Sequence, residues 1–478
     1  MGDVTATDGT GTDTAAAAAV ESAATAAARA ALLPTTRDER AAWLDALAAA
    51  LEADRAALVA LAAEETHLSE ARLDGEVTRT AAQLRFFAGV AREGGYLEAT
   101  LDSPDPALIP PRPDLRRMLR PLGPVAVYTS SNFPFAFSVL GNDTASALAA
   151  GCPVIVKAHP GHPRLSRRTA ELALTVLPAG WFALVEGMEA GVALVQHPVI
   201  RAAGFTGSER GGRALFDLAA SRPDPIPFYG ELGSVNPVVV TRAAARERAA
   251  DIGAGLVGSF TRDAGQYCTK PGLVFVPSGE GVEDAVSAAL GSAPTSRQLT
   301  DGMSAAYASA LERFEADDAV SVLLAHEVPG TSTPAVALVD AAAFLAAPDA
   351  FLEEHFGPVT VLVSYRDDEL AALLAVLRPS LTATVHRGAA EDVTALANAL
   401  APIAGRLLFD GWPTGVAIGW AQHHGGSWPA TTASIHSSVG ATAIRRWLTP
   451  IAYQDAPQDV LPPELRDANP LGIPRRES

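Results

Sequence analysis

The chain has 478 residues, too many for one ordinary core, so two or three domains are expected. Hydrophobic residues make up 48%, which fills several cores and excludes a disordered chain. A formal charge of −18 excludes a protein that tracks nucleic-acid phosphates, and two cysteines exclude a disulfide framework.

In chain order, the first dozen residues read as a loose polar tail and the alanine tract after them as a helix. The start lacks a basic region followed by a leucine-rich one, so no secretory signal is expected. No uncharged run of about 18 strongly apolar residues predicts a membrane span. A chain of this kind with free thiols suits a reducing cytoplasm. Thr36 and Glu39 form a T-x-x-E capping box, and Leu44, Leu47, Leu51, Leu58 and Leu61 then recur at helical spacing. Residues 64–92 read as further helix, and "DSPDPALIPPRPD" as an excursion.

From Gly123 the text alternates. "VAVY" predicts a strand, 137–150 a helix, "PVIVKA" a strand and 165–177 a helix. "WFALVEG", a helix near 190–197, "AAGFTG", a helix from Ser208 and "IPFYGEL" continue the rhythm. This is an α/β pattern, a parallel sheet covered on both faces. A second α/β block spans about 236–436, followed by a proline-punctuated arm. Ligands of such sheets lie at the carboxyl ends of the strands. The loops after Tyr128, Val156, Phe205 and Tyr229 are therefore the places to look, and they carry Asn132, Lys157, "TGSERGG" and Glu231.

The ordered set "SNFPF", "GCPVIVKAHP", "GFTGS", "ELGSVNP", "GQYCTKPG" and "EEHFGP" resembles the aldehyde dehydrogenase superfamily over about residues 20–470. "SNFPFAFSVLGNDTASALAAGCPVIVKAHPGHP" and "PTGVAIGWAQHHGGSWPATT" resemble its α-ketoglutarate-semialdehyde (2,5-dioxovalerate) dehydrogenase branch, with NADP-type fatty aldehyde dehydrogenases near it. The resemblance implies an NAD(P)-dependent enzyme that oxidises an aldehyde to a carboxylic acid through a cysteine thiohemiacetal and thioester. A semialdehyde acid is the expected substrate. The alternatives are a medium- or long-chain aliphatic aldehyde, or a non-catalytic scaffold of the same fold.

Residue by residue, the resemblance makes Cys268 the nucleophile, with an inert buried thiol as the plain alternative. Cys152, between a helix end and a strand, reads as structural. Asn132 becomes the oxyanion donor together with the Cys268 N–H. Glu231 becomes the general base, with a pKa raised by burial. Glu354 and Phe356 hold the nicotinamide end of the cofactor, Lys157 the adenosine ribose or its phosphate, and Gly207 with Ser208 the pyrophosphate. Phe133 and Thr269, next to Asn132 and Cys268, are expected beside the substrate. His159 with His162, and His423 with His424, lack a third ligand at metal spacing, so no metal is expected.

Two departures matter. Pro160 stands where NAD-preferring relatives carry a glutamate, which points to NADP in preference to NAD. Arg262, six residues before Cys268, is expected either to grip a substrate carboxylate or to pair with Asp263 or another acid and only brace the loop. The implied architecture is a cofactor-binding domain (1–102 and 124–235), a catalytic domain (236–436) and an oligomerisation element with a C-terminal arm (103–123 and 437–478). A homodimer or homotetramer follows, with no nucleic-acid or membrane partner.

Overall fold

The structure, a computed structural model, describes residues 9–478. Most of the expected polar tail lies outside the described residues, and helix α1 already runs over Gly9–Ala30. α2 (Arg37–Ala53) starts on the expected capping box, with Thr36 and Glu39 bonded reciprocally. α3 (Arg55–Thr66) and α4 (Glu70–Glu93) are separate where one helix was expected. His67 takes a left-handed conformation that ends α3, and Ser69 restarts the chain by accepting from the Arg72 N–H. Leu44, Leu47, Leu51 and Leu58 are buried where these helices meet the first parallel sheet.

The strands and their connecting helices follow in chain order: β1 (Ala99–Asp102), β2 (Leu115–Pro121), β3 (Val125–Tyr128), α5 (Asn142–Ala150), β4 (Val154–Lys157), α6 (Pro163–Val176), β5 (Phe182–Val185), α7 (Met188–Gln196), β6 (Ala202–Thr206), α8 (Glu209–Ala220), β7 (Phe228–Glu231), β8 (Pro237–Val240), α9 (Arg242–Phe260) and β9 (Leu273–Pro277). Then come β10 (Ser321–Leu324), β11 (Ala335–Asp340), β12 (Val359–Tyr365), β13 (Ser380–His386), β14 (Ala404–Phe409), β15 (Leu448–Gln454) and β16 (Arg475–Glu477).

They form three sheets. One is wholly parallel, in the order β5-β4-β3-β6-β7. A seven-stranded sheet has the order β10-β11-β12-β9-β8-β13-β14, with only β10 antiparallel to its neighbour. A small sheet, β15-β2-β1-β16, joins the Pro-rich excursion to the C-terminal arm. It takes in Ala99–Asp102, a strand that the sequence reading assigned to the cofactor-binding unit. Among the described residues no helix is long and apolar enough to cross a membrane.

One expected helix is shortened. The sequence predicts helix from Phe137, but the chain turns through 133–141 and α5 begins at Asn142. Bonds from α4 account for this. The Glu76 carboxylate accepts the N–H groups of Phe135 and Ala136 at 3.0 and 2.9 Å, and Gln83 donates to the Ala136 carbonyl at 3.1 Å. Satisfied in this way, these backbone groups have no need of a helix.

Candidate active site

The strand ends deliver most of the expected residues to one cavity of about 300 Å³. Its walls include Asn132 from the loop after β3, Gly207 and Ser208 after β6, Glu231 at the end of β7, Cys268 before β9, and Glu354 with Phe356 before β12. The seven come from both large sheets, so the cavity lies between them.

Cys268 follows α9 across a tight left-handed turn. Asp263, Ala264 and Gly265 have φ of 46°, 56° and 68°. Such a run is costly for residues with a Cβ and is held from outside. Arg72 Nε donates to Asp263 at 2.9 Å, and the Tyr267 hydroxyl donates to the same carboxylate at 2.6 Å. Gly265 lies so close to the Gly357 carbonyl that a Cβ would come within 2.2 Å of it. On the far side, Asn236 of "GSVNP" donates to the carbonyls of Cys268 and Lys270 at 2.8 and 2.9 Å. The Cys268 N–H donates to no described group of the chain.

Burial, followed by the negative charge of Glu231, pushes the Cys268 thiol well above its usual range. The thiol therefore rests protonated and needs a base. Glu231 is buried beside it, and here the expectation is corrected. Burial raises the carboxyl pKa, but His424 beside it and bonds from His424, Ser438 and Cys268 bring it below its ordinary value. His424 Nε2 lies 2.9 Å from Glu231 Oε1 and 3.5 Å from Cys268 Sγ, and Ser438 Oγ donates to the other carboxylate oxygen. His424 Nδ1 is buried without a partner, which suits an acceptor better than a donor, so the ring proton sits on Nε2 between acid and thiol.

Sequence reasoning missed His424, weighing it only as half of an adjacent pair. The segment that carries it returns along the free edge of β7. Leu232 N donates to the Ala430 carbonyl at 2.8 Å and Thr432 N to the Gly230 carbonyl at 3.1 Å. Glu231, Cys268 and His424 offer ligand atoms all within 4.8 Å of one another, a constellation with metal-binding chemistry that no spacing in the sequence displays.

Asn132 is buried, and its amide donates to the Gln266 carbonyl at 3.0 Å, leaving its second N–H for the cavity. Phe133 packs edge-on to Phe137 and Tyr267 with centroids 5.4 and 5.3 Å away. Thr269 is buried and accepts from the Gly415 N–H at 3.4 Å. Neither Phe133 nor Thr269 lines the cavity itself. Arg262 is exposed at the start of the left-handed turn and is not among the cavity walls. Asp263 pairs with Arg72 instead of with Arg262.

The residues present fit a dinucleotide. Ser208 caps the twelve-residue α8 and lines the cavity together with Gly207, and a helix N-terminus favours an anion. A Cβ at Gly233 would lie 2.7 Å from the Glu354 carboxylate, so the glycine of "ELGS" leaves that acid its place. Burial raises the Glu354 pKa to about 7, against the pull of Lys270. Lys270 is buried and donates to the carbonyls of His355, Gly357 and Val359 at 2.6, 2.9 and 2.7 Å, which pins the Glu354 loop. Lys157 ends β4 half-buried with no ion pair among the described residues, and burial lowers its pKa. Pro160 is exposed nearby, while Arg164 is engaged by Glu64 and Glu65. Cys152 is fully buried, donates to the Trp447 carbonyl at 3.3 Å and has its thiol pushed up to about 11, as a structural cysteine should.

A thiol beside a carboxylate and an amide donor, on a cavity that also holds a helix N-cap and Glu354, is the constellation of an enzyme working through sulfur. The chain belongs to the aldehyde dehydrogenase family: the sequence model described as "Aldehyde dehydrogenase family" matches residues 2–316. It is accordingly an NAD(P)-dependent aldehyde-oxidising enzyme. It is 46% identical over 455 residues to alpha-ketoglutaric semialdehyde dehydrogenase 2 of Azospirillum brasilense, spanning 91% of this chain and 86% of that one. It is 39% identical over 457 residues to the alpha-ketoglutaric semialdehyde dehydrogenase of Acinetobacter baylyi, spanning 92% and 87%. The fold is shared with 1-pyrroline-5-carboxylate dehydrogenase from Thermus, solved with bound NAD, at 22% identity and a TM-score of 0.78 over 91% of this chain and 85% of that one. Proline utilization A of Bradyrhizobium japonicum also shares it, at 23% identity and a TM-score of 0.78, but this chain spans only 45% of that protein.

Proposed function

We propose that the enzyme oxidises a short semialdehyde bearing a distal carboxylate, of the α-ketoglutarate semialdehyde kind, to the dicarboxylic acid. The observation that carries the chemistry is the meeting of Cys268, Glu231 and Asn132 around one cavity. The substrate class is supported by the two semialdehyde dehydrogenases that align along most of this chain.

In this reading Cys268 gives its proton to the Glu231–His424 pair, and its sulfur attacks the aldehyde carbon. Asn132 and the Cys268 N–H donate to the oxygen, an interaction worth about 3 kcal/mol per donor. A bound nicotinamide supplies the hydride acceptor. A thioester then remains on Cys268; Glu231 releases the thiol's proton to solvent, takes a proton from the water that attacks the thioester, and returns it to the Cys268 sulfur as the C–S bond breaks. Glu354, Phe356, Gly207, Ser208 and Lys157 hold the cofactor. On the same reading residues 1–102 and 124–235 bind cofactor, 236–436 carry the nucleophile, and 103–123 with 437–478 mediate a homodimer or homotetramer; the strand Ala99–Asp102, which pairs with the small sheet, goes with that last unit instead of the first. A monomer by light scattering would refute that last role.

The test is kcat/KM on α-ketoglutarate semialdehyde against pentanal and a long-chain aldehyde, each with NAD⁺ and NADP⁺. The semialdehyde acid should lead by at least tenfold, and NADP⁺ should be used at least as well as NAD⁺, because Pro160 places no carboxylate where a 2′-phosphate would meet it. A lead for the aliphatic aldehydes overturns the substrate, and a tenfold lead for NAD⁺ overturns the cofactor choice.

A further inference from the structure

One stripe of α4 holds the Asn132 loop. Arg72, Glu76, Arg79 and Gln83 are spaced four, three and four residues apart, so they share a helix face. Three of them make hydrogen bonds there, although Gln83 leaves its Oε1 buried without a partner. Arg72 pairs with Glu76 and with Asp263, Glu76 accepts two backbone N–H groups of the loop, and Gln83 donates to Ala136. Arg79 is the exception. Its side chain makes no hydrogen bond or ion pair with any described residue, and its Nε and Nη2 are buried without a partner.

These two nitrogens are neighbours on the guanidinium and form the side-on fork that matches both oxygens of a carboxylate. The head group sits 5.5 Å from the Phe133 ring and 5.6 Å from that of Phe137, both on the Asn132 loop. Its charge reaches the nucleophile, since Arg79 opposes the upward shift that burial and Glu231 impose on the Cys268 thiol. Burying a cation with its donors unpaired is costly, and the cost falls away when an anion fills the seat.

The neighbouring arginines do not offer this seat. Arg72 is neutralised by two acids, and Arg262 is exposed. Arg406 also acts on Cys268, but its Nη1 and Nη2 are tied to the carbonyls of Pro413 and Gly415, which leaves a single free nitrogen.

We propose that Arg79, which like Phe133 and Phe137 is not among the walls of the cavity of about 300 Å³, anchors the distal carboxylate of the substrate through Nε–H and Nη2–H, with the Phe133 and Phe137 rings that face its guanidinium flanking the carbon chain on its way to Cys268. This rests on the reading that the substrate is a semialdehyde acid. It also predicts selection against a long alkyl chain, which would cover the guanidinium and leave its donors unpaired.

The experiment compares kcat/KM on α-ketoglutarate semialdehyde and pentanal in the wild type, Arg79→Gln and Arg79→Lys. The acid-to-pentanal ratio should fall on the order of 10²-fold in Arg79→Gln, mainly through KM for the acid, as expected for removing one member of a desolvated charge pair. Arg79→Lys should recover part of it, since it keeps the charge without the fork. An unchanged ratio in Arg79→Gln overturns the assignment. A wild type that prefers pentanal overturns the substrate reading on which it rests, and the two failures are distinct. A second measurement needs only the wild type: glutarate should slow alkylation of Cys268 by iodoacetamide, and pentanamide at the same concentration should not. Equal protection by both also overturns the assignment.

Discussion

Cys268 and Glu231 impose opposite demands on each other. The thiol is held protonated by burial and by the carboxylate, while the carboxylate is held ionised by His424, Ser438 and the thiol itself. A resting enzyme built this way protects its nucleophile from oxidation and alkylation, because the thiolate is the reactive form. Replacing Glu231 by Gln removes the negative charge that raises the thiol, so the alkylation of Cys268 should titrate at lower pH in Glu231→Gln than in the wild type, whose midpoint should lie above 9. The rate of iodoacetamide labelling against pH measures both. A wild-type midpoint near neutrality, or an upward shift in the variant, would contradict the electrostatic account. At this scale the sequence revealed residue types and loops, but not the direction of the Glu231 shift. That depends on His424 and Ser438, which lie 193 and 207 positions away in the chain.

The elements that place these residues are braced by buried polar side chains as much as by apolar packing. Lys270 is the clearest case, spending all three of its N–H donors on the carbonyls of the 355–359 segment. Lys270→Met would keep the stem and leave those carbonyls unpaired, at a cost of about 3 kcal/mol. Chemical denaturation should show that loss, and KM for the cofactor should rise more than KM for the aldehyde, because the loosened loop carries Glu354 and Phe356. Unchanged stability would remove Lys270 from this role. The alternation of strands and helices from Gly123 was legible because a parallel sheet writes a near-continuous apolar run for each strand. The turn at 133–141 was not, since its apolar text reads as helix until Glu76 and Gln83 of α4 claim its backbone. Arg262 was expected on the aldehyde's channel from the resemblance, but it is exposed and is not among the cavity walls.

Across the molecule, two parallel sheets present their strand ends to a common cavity, and the segment that carries His424 and Ser438 crosses from the second to close over the first. The ordered motifs made the family readable because each sits at a strand end that the fold brings inward. Arg79 and His424 were unreadable because each reaches the site from an element with no strand-end signal, one on a helix face and one on a returning loop. The central claim is that the substrate's acyl group passes through Cys268. Glu231→Gln, held at a pH above its lowered thiol midpoint so that Cys268 ionises without the carboxylate, is mixed with α-ketoglutarate semialdehyde and NADP⁺, quenched in acid and digested, and mass spectrometry of the peptides tests the claim. The account predicts a burst of NADPH equal to the active sites and an acyl adduct on the peptide carrying Cys268, with none on that of Cys152. Cofactor reduction without any adduct on Cys268 would contradict it.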